Sequence, residues 1–141
     1  MTERVFLDTN IVVYAFDHAK ASVEKRQKAQ EILLNPDLEL CLSAQVLSEF
    51  YVTVTRKLPK PLDPIDASRA ITQLGELVTV PTDAGLVAAG IETSITHQLS
   101  YWDALIVEAS VRAGCSRLLT EDLNAGATIR GVKIDNPFAG T

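Results

Sequence analysis

Short, mostly apolar runs recur along the chain at Val5–Leu7, Leu38–Leu42, Val78–Val80 and Arg117–Leu119, and stretches long enough for helices separate them. A strand that is apolar on both faces must be covered on both faces. Strands joined through helices run parallel, because a parallel pair needs a long crossover. This alternation predicts an α/β domain in three layers, with a mainly parallel, four- to five-stranded central sheet flanked by helices. Val132–Ile134 supplies the weak fifth strand.

The intervening segments carry helix punctuation. Ile11–Phe16 reads as a short helix after the Asp8-Thr9-Asn10 turn, and Val23–Leu34 as a longer one capped by Ser22. Ser43 caps a helix from Ala44 to about Lys57, with Val46, Leu47, Phe50, Tyr51 and Val54 on its apolar arc. A Pro-rich loop, Leu58–Leu62, precedes Asp63-Pro64, an N-cap followed by proline in the first turn of a helix to about Leu77. Thr82 caps a helix from Asp83 to about His97, and Ser100 opens one that ends at Gly114. The stretch from Trp102 to Ala113 is apolar on nearly every side and reads as buried, with Trp102, Tyr51 and Phe50 packing in the core rather than stacking on a base. No repeat, low-complexity tract or Gly/Ser linker divides residues 1–141, so one domain is expected.

Charge narrows the function classes. With 13 basic and 18 acidic residues the formal net charge is -5, which argues against coating nucleic acid by charge alone. Cys41 and Cys115 have no Cys or His at zinc-ligand spacing and read as buried free thiols. No apolar run reaches bilayer-spanning length and no signal-peptide layout opens the sequence, so a cytoplasmic location without membrane partners is expected.

In an open parallel sheet, reactive groups gather beyond the carboxyl ends of the strands. Asp8 follows the first strand directly, and Glu121 and Asp122 follow the fourth. Asp103 lies in the first turn of the helix opened by Ser100, and Glu49 lies about two turns into the helix after the second strand. Taken singly, each has a structural explanation: Asp8 as an N-cap, Asp103 as part of a capping box, Glu49 as a solvated side chain, Glu121-Asp122 as an acidic turn. Four segments delivering acids to one sheet edge form a stronger signal. Clustered carboxylates resist joint ionisation unless a cation intervenes. With no His or Cys cluster, the donor set points to Mg²⁺ or Mn²⁺ rather than Zn²⁺. Setting four of these acids against bound metal takes the formal charge from -5 to -1. The composition then no longer opposes a phosphate-backbone substrate.

Phe6-Leu-Asp-Thr-Asn10, Ser48-Glu-Phe50, Tyr101-Trp-Asp-Ala104 and Leu119-Thr-Glu-Asp-Leu123 resemble, in order and spacing, the successive signatures of the PIN domain, over Val5 to Pro137. Within that family the chain is most similar to the VapC-type toxins, including an Asn136-Pro-Phe138 tail. The resemblance implies a PIN-like fold and Mg²⁺- or Mn²⁺-dependent endonucleolytic cleavage of RNA. It also implies a homodimer and a small VapB-like antitoxin partner. It assigns Asp8, Glu49, Asp103 and Asp122 to the catalytic, metal-holding positions, with Glu121 an adjacent substitute for Asp122 and Asn10 in support.

Arg56, Lys57 and Lys60 form a basic cluster, with Arg69 on the next helix, that could track an RNA backbone or merely complement a helix C-terminus. His18 and His97 read as surface bystanders. A haloacid-dehalogenase-type phosphatase would want a second Asp where Asn10 stands, and a response-regulator receiver lacks its phosphoacceptor Asp and Lys here. The remaining alternative is a catalytically weak or inactive PIN-like binding module that acts through its antitoxin complex.

Overall fold

The computed structural model describes residues 2–140. Strand β1 (Glu3–Leu7) leads through Asp8 into helix α1 (Thr9–Ala15), and a single 3-10 turn (Lys20–Ser22) precedes α2 (Val23–Leu34). Then follow β2 (Leu38–Ser43), α3 (Ala44–Arg56), α4 (Pro64–Leu74), β3 (Val78–Val80), α5 (Ala84–His97) and α6 (Tyr101–Arg112). Strands β4 (Arg117–Leu119), β5 (Thr128–Ile129) and β6 (Val132–Asp135) complete the chain. The sheet order is β3-β2-β1-β4-β6-β5, parallel throughout except for the β5–β6 pair.

The expected α/β architecture is present, with one strand more than the apolar runs announce. Strand β5 has two residues and no apolar run of its own. It forms by turning back at Arg130-Gly131, both with positive φ (53° and 80°). Two consecutive left-handed residues are what a two-residue type I′ hairpin demands, and glycine at the second makes it affordable.

Central strands β1 and β4 are buried because both sheet faces carry helices: Val5, Phe6, Leu7 and Leu118 are fully covered. Phe50 and Val54 of α3 and Leu105 and Val107 of α6 join the same core. Three helix details differ from the sequence reading. Ser22 makes no capping bond, because its hydroxyl donates to Asp17 at 2.9 Å. Asp83 rather than Thr82 caps α5, accepting from Leu86 N–H at 2.8 Å. Helix α4 stops at Leu74, where Gly75 closes it, instead of continuing to Leu77. Cys41 and Cys115 are buried free thiols, as read.

Inside α6 lies a buried glutamate, Glu108 (4% exposed). Its carboxylate accepts from the Thr93 hydroxyl of α5 at 2.8 Å and from the Arg130 guanidinium at 3.0 and 3.3 Å. One carboxylate thereby ties α5, α6 and the hairpin turn together. Arg130→Ala leaves it buried and short of its guanidinium partner, which is far costlier than losing an exposed ion pair. Thermal unfolding should shift down by several degrees in Arg130→Ala and recover part of that loss in Arg130→Ala/Glu108→Gln, since glutamine needs no counter-charge. An additive double variant would refute the coupling.

Candidate active site

Topology brings the acids to one edge. Asp8 follows β1, Ser43 ends β2 and Thr120 follows β4, so α1 and α3 both start at the carboxyl edge of the parallel strands. Helix α6 ends just before β4 begins and therefore runs opposite to the strands, which returns its N-terminus, with Asp103, to that same edge.

Asp8 is the centre of the arrangement. The register pair Leu7↔Leu119 sets Asp8 beside Thr120, and the Asp8 N–H donates to Leu119 O at 3.0 Å. Its two carboxylate oxygens accept from the Thr120 hydroxyl at 2.7 Å and the Thr9 N–H at 2.7 Å. Asp8 is thus an N-cap of α1 and also a buried carboxylate, only 6% exposed. Burial pushes its pKa up from 3.8 to about 6, the Thr120 and Thr9 donors pull against that rise, and the charges of Asp122 and Glu49 add to it.

The neighbouring acids are held by short polar links. Thr9 Oγ1 donates to Glu49 Oε1 at 2.9 Å, so the exposed glutamate of α3 is tethered to the residue after Asp8. Asn10 Nδ2 donates to Asp122 Oδ2 at 2.8 Å, and Asp122 N–H donates to Thr120 Oγ1 at 3.1 Å. Asn10 Oδ1 accepts from Glu121 N–H at 3.3 Å. Glu121 itself is turned to other work: its carboxylate accepts from Lys25 Nζ at 2.6 Å and the Tyr14 hydroxyl at 2.7 Å. Of the adjacent acids, Asp122 is the one whose charge bears on Asp8.

Asp103 joins this edge by a different route. Its N–H donates to the Ser100 hydroxyl at 3.1 Å, the capping bond that starts α6. The neighbouring Trp102 carbonyl accepts from Gln45 Nε2 at 3.3 Å, which ties the start of α6 to the start of α3. The Asp103 carboxylate takes no hydrogen bond or ion pair among the described residues, and it has no direct link to the Asp8 network. Among those residues no group of three or more His, Cys, Asp or Glu side chains is placed to hold a metal ion unaided. By chemistry alone, all-oxygen carboxylate donors suit Mg²⁺ or Mn²⁺ better than a soft metal. Such ions keep several waters and are held by one or two carboxylates plus substrate phosphate, and Asp8, Glu49 and Asp122 concentrate negative charge with no basic side chain bonded to any of them among the described residues.

Two grooves flank the acids. One, about 490 Å³, is lined by Gln45, Ser48, Glu49, Thr82, Trp102 and Leu105. The other, about 330 Å³, has Thr9, Asn10, Asp122 and Leu58 among its lining residues. The Thr9–Glu49 bond joins them.

The PIN domain profile matches residues 5–128. The chain belongs to the PIN domain family. Similar solved structures share its fold at low identity. A toxin–antitoxin complex from Klebsiella pneumoniae has TM-score 0.70 at 17% identity, covering 95% of this chain and 98% of that one. The sarcin–ricin-loop-cleaving toxin VapC20 of Mycobacterium tuberculosis has TM-score 0.64 at 16% identity, covering 81% and 86%. A DNA-bound VapBC from Salmonella typhimurium has TM-score 0.63 at 16% identity, covering 97% and 99%. No curated protein matches the sequence.

In this PIN domain the acids singled out by sequence lie toward one sheet edge, and the groups that hold Asp8, Glu49 and Asp122 there carry little sequence signal of their own. Thr120 and Thr9 bond Asp8 and Glu49, and Tyr14 and Lys25 bond Glu121. The one sequence signal among these four is the place of Thr120, a hydroxyl one residue past the strand that neighbours β1. The apolar pattern places Tyr51 and Trp102 in the core, but they are 36% and 63% exposed. Both lie on helices whose buried side is filled by other residues: Val46, Phe50 and Val54 on α3, and Ala104 to Ser110 on α6. His18 and His97 are exposed, in keeping with the bystander reading. The side chains of Arg56, Lys57 and Lys60 are exposed and form no ion pair among the described residues. Leu58 of the same loop lines the second groove beside Asn10 and Asp122.

Proposed function

We propose that this PIN domain is a Mg²⁺- or Mn²⁺-dependent endoribonuclease, the VapC-type toxin of a type II toxin–antitoxin pair. The observation that carries the reading is the network centred on Asp8, in which a buried carboxylate with a pKa of about 6 stands in the field of Asp122 and Glu49. Such an arrangement is poorly stable by itself and well suited to a divalent cation.

Asp8 and Asp103 would hold the ion chiefly, with Glu49 and Asp122 contributing, directly or through water. When bound, a divalent ion makes water nucleophilic at neutral pH and offsets charge on the phosphodiester, so no histidine base is needed. The protein's own part is orientation. Thr120 and the Thr9 N–H fix both oxygens of Asp8, the Thr9 hydroxyl steers Glu49, and Asn10 steers Asp122. Lys25 and Tyr14 draw Glu121 away, which keeps one acid from crowding the site.

The partner reading follows the same line. Toxin–antitoxin complexes among the structural neighbours support a VapB-like antitoxin here, and the homodimer is proposed from the resemblance to the VapC-type toxins. Action in the cytoplasm is part of the proposal; no helix among the described residues is long and apolar enough to cross a membrane.

The deciding experiment incubates purified protein and total RNA with Mn²⁺, maps the cut ends, and repeats with EDTA and with Asp8→Asn. Cuts that require the metal and Asp8 support the nuclease. Absence of cuts under every metal condition, with antitoxin binding intact, would leave the catalytically inactive binding module. For the basic cluster, Lys57→Ala/Lys60→Ala should weaken RNA binding and flatten its log K against log salt slope by about 1.4, roughly 0.7 for each phosphate contact to a single strand. An unchanged slope would remove the loop from the RNA path.

A further inference from the structure

Helix α6 is buried from Ala104 through Ser110, yet Trp102 at its start is 63% exposed. It is the single tryptophan of the chain. Its position is well defined: Tyr101 packs edge-on at 5.0 Å between ring centroids, and Gln45 holds its carbonyl at 3.3 Å. Trp102 lines the same groove of about 490 Å³ as Glu49, and Asp103 is the next residue. That volume falls within the range of small-ligand sites. Around the indole the groove offers hydrogen-bonding groups from Gln45, Ser48 and Thr82.

Resting on the ribonuclease reading, we infer that Trp102 is a stacking platform for a single-stranded nucleobase adjacent to the phosphate being cut. Gln45, Ser48 and Thr82 stand within the groove to meet the base edge. A nucleobase presents a flat π-face and a polar rim, and single-stranded RNA is recognised by this pairing of aromatic stacking with edge hydrogen bonds. The groove's open surface is mainly apolar, as the face of a base requires, while Gln45, Ser48, Glu49 and Thr82 contribute polar atoms to its lining for the base edge. A base held on Trp102 adds binding energy equally to the bound substrate and to its transition state, so the platform acts on KM rather than on kcat.

The test uses the intrinsic fluorescence of this lone tryptophan. Full-length protein in Ca²⁺ is titrated with an eight-nucleotide single-stranded RNA and, separately, with an abasic oligomer of equal length and charge. Stacking predicts saturable quenching by the RNA and little by the abasic chain. In cleavage assays Trp102→Leu should raise KM about tenfold or more with kcat nearly kept, and Trp102→Phe should restore most of the loss, since stacking is worth about 1–3 kcal/mol per base. Equal quenching by both oligomers, or parental KM in Trp102→Leu, overturns the inference. So does a Trp102→Leu protein that changes oligomeric state by sedimentation, for the indole would then belong to a contact between copies. Quenching by the RNA without cleavage by the parent would instead sink the ribonuclease reading and leave the base platform standing, so the two failures are told apart.

Discussion

Asp8→Asn is expected to abolish RNA cleavage while making the metal-free protein more stable. Both effects have the same cause. Burial first, then the charges of Asp122 and Glu49, lift the Asp8 pKa from 3.8 to about 6, so the ionised form is disfavoured in the folded protein. Between those two values the folded state binds a proton that the unfolded state has released. Stability of the parent therefore falls as pH rises from about 4 to about 6 and levels off above that. Asparagine keeps the size and an acceptor oxygen but carries no charge. At pH 7 it should recover about 1–3 kcal/mol, the range reflecting imperfect replacement of the hydrogen bonds, and near pH 4 the two proteins should unfold alike. Cleavage should drop about a thousandfold or more, because metal stabilisation of transition-state charge is worth several kcal/mol. Added Mg²⁺ should raise the unfolding midpoint of the parent above pH 6 and leave Asp8→Asn unmoved. Chemical denaturation across pH, with and without the ion, measures all of this at once. A destabilised Asp8→Asn protein at pH 7 would refute the electrostatic account, and undiminished cleavage would refute the site.

The contrast with Asp103 sharpens the point. Its carboxylate has no hydrogen-bond partner among the described residues and is partly exposed. The same chemical change there removes a proposed ligand without removing a buried charge. A loss of cleavage with little change in stability is the pattern that separates a ligand poised at the rim from one set in the floor.

What could be read from the sequence follows from range. Apolar runs report burial on both faces, and burial on both faces means a parallel sheet, so the strands β1 to β4 and the acids at their ends were legible. Cap residues report local hydrogen bonds, and Ser43, Asp63 and Ser100 are legible because their partners lie two or three residues away. Ser22 misled because a buried acid five residues earlier, Asp17, competes for its hydroxyl. Strand β5 has no sequence signal because its order comes from the Arg130-Gly131 turn and from the Arg130–Glu108 pair, which spans 22 positions. The exposure of Trp102 has the same root: a helix can be apolar all round and still begin beyond the core, and only the tertiary arrangement says where the cover ends. The site's supporting cast was hidden for this reason too. Thr120 and Asp8 are 112 positions apart, and nothing but the β1–β4 register makes them neighbours.

That pairing carries the second large prediction. Thr120 is fully buried, and its hydroxyl donates to Asp8 at 2.7 Å while accepting from the Asp122 N–H at 3.1 Å. Valine has the same shape without the hydroxyl. At pH 7 the variant leaves an ionised buried carboxylate one donor short, and a loss of about 2 kcal/mol is expected, as for hydrogen bonds to charged groups. At pH 5 Asp8 is already protonated in the folded parent, so the loss should shrink to about 1 kcal/mol. Since Thr120 favours the ionised form, its removal pushes the Asp8 pKa higher still. With subsaturating metal the acid limb of the rate profile should move up by about one pH unit: a deficit of about fivefold at pH 6 that vanishes by pH 9. Thr120→Ser, which keeps the donor, should track the parent. A pH-independent deficit in Thr120→Val would mean that the threonine only fills space, whereas recovery at high pH identifies it as the group that keeps Asp8 ready to ionise.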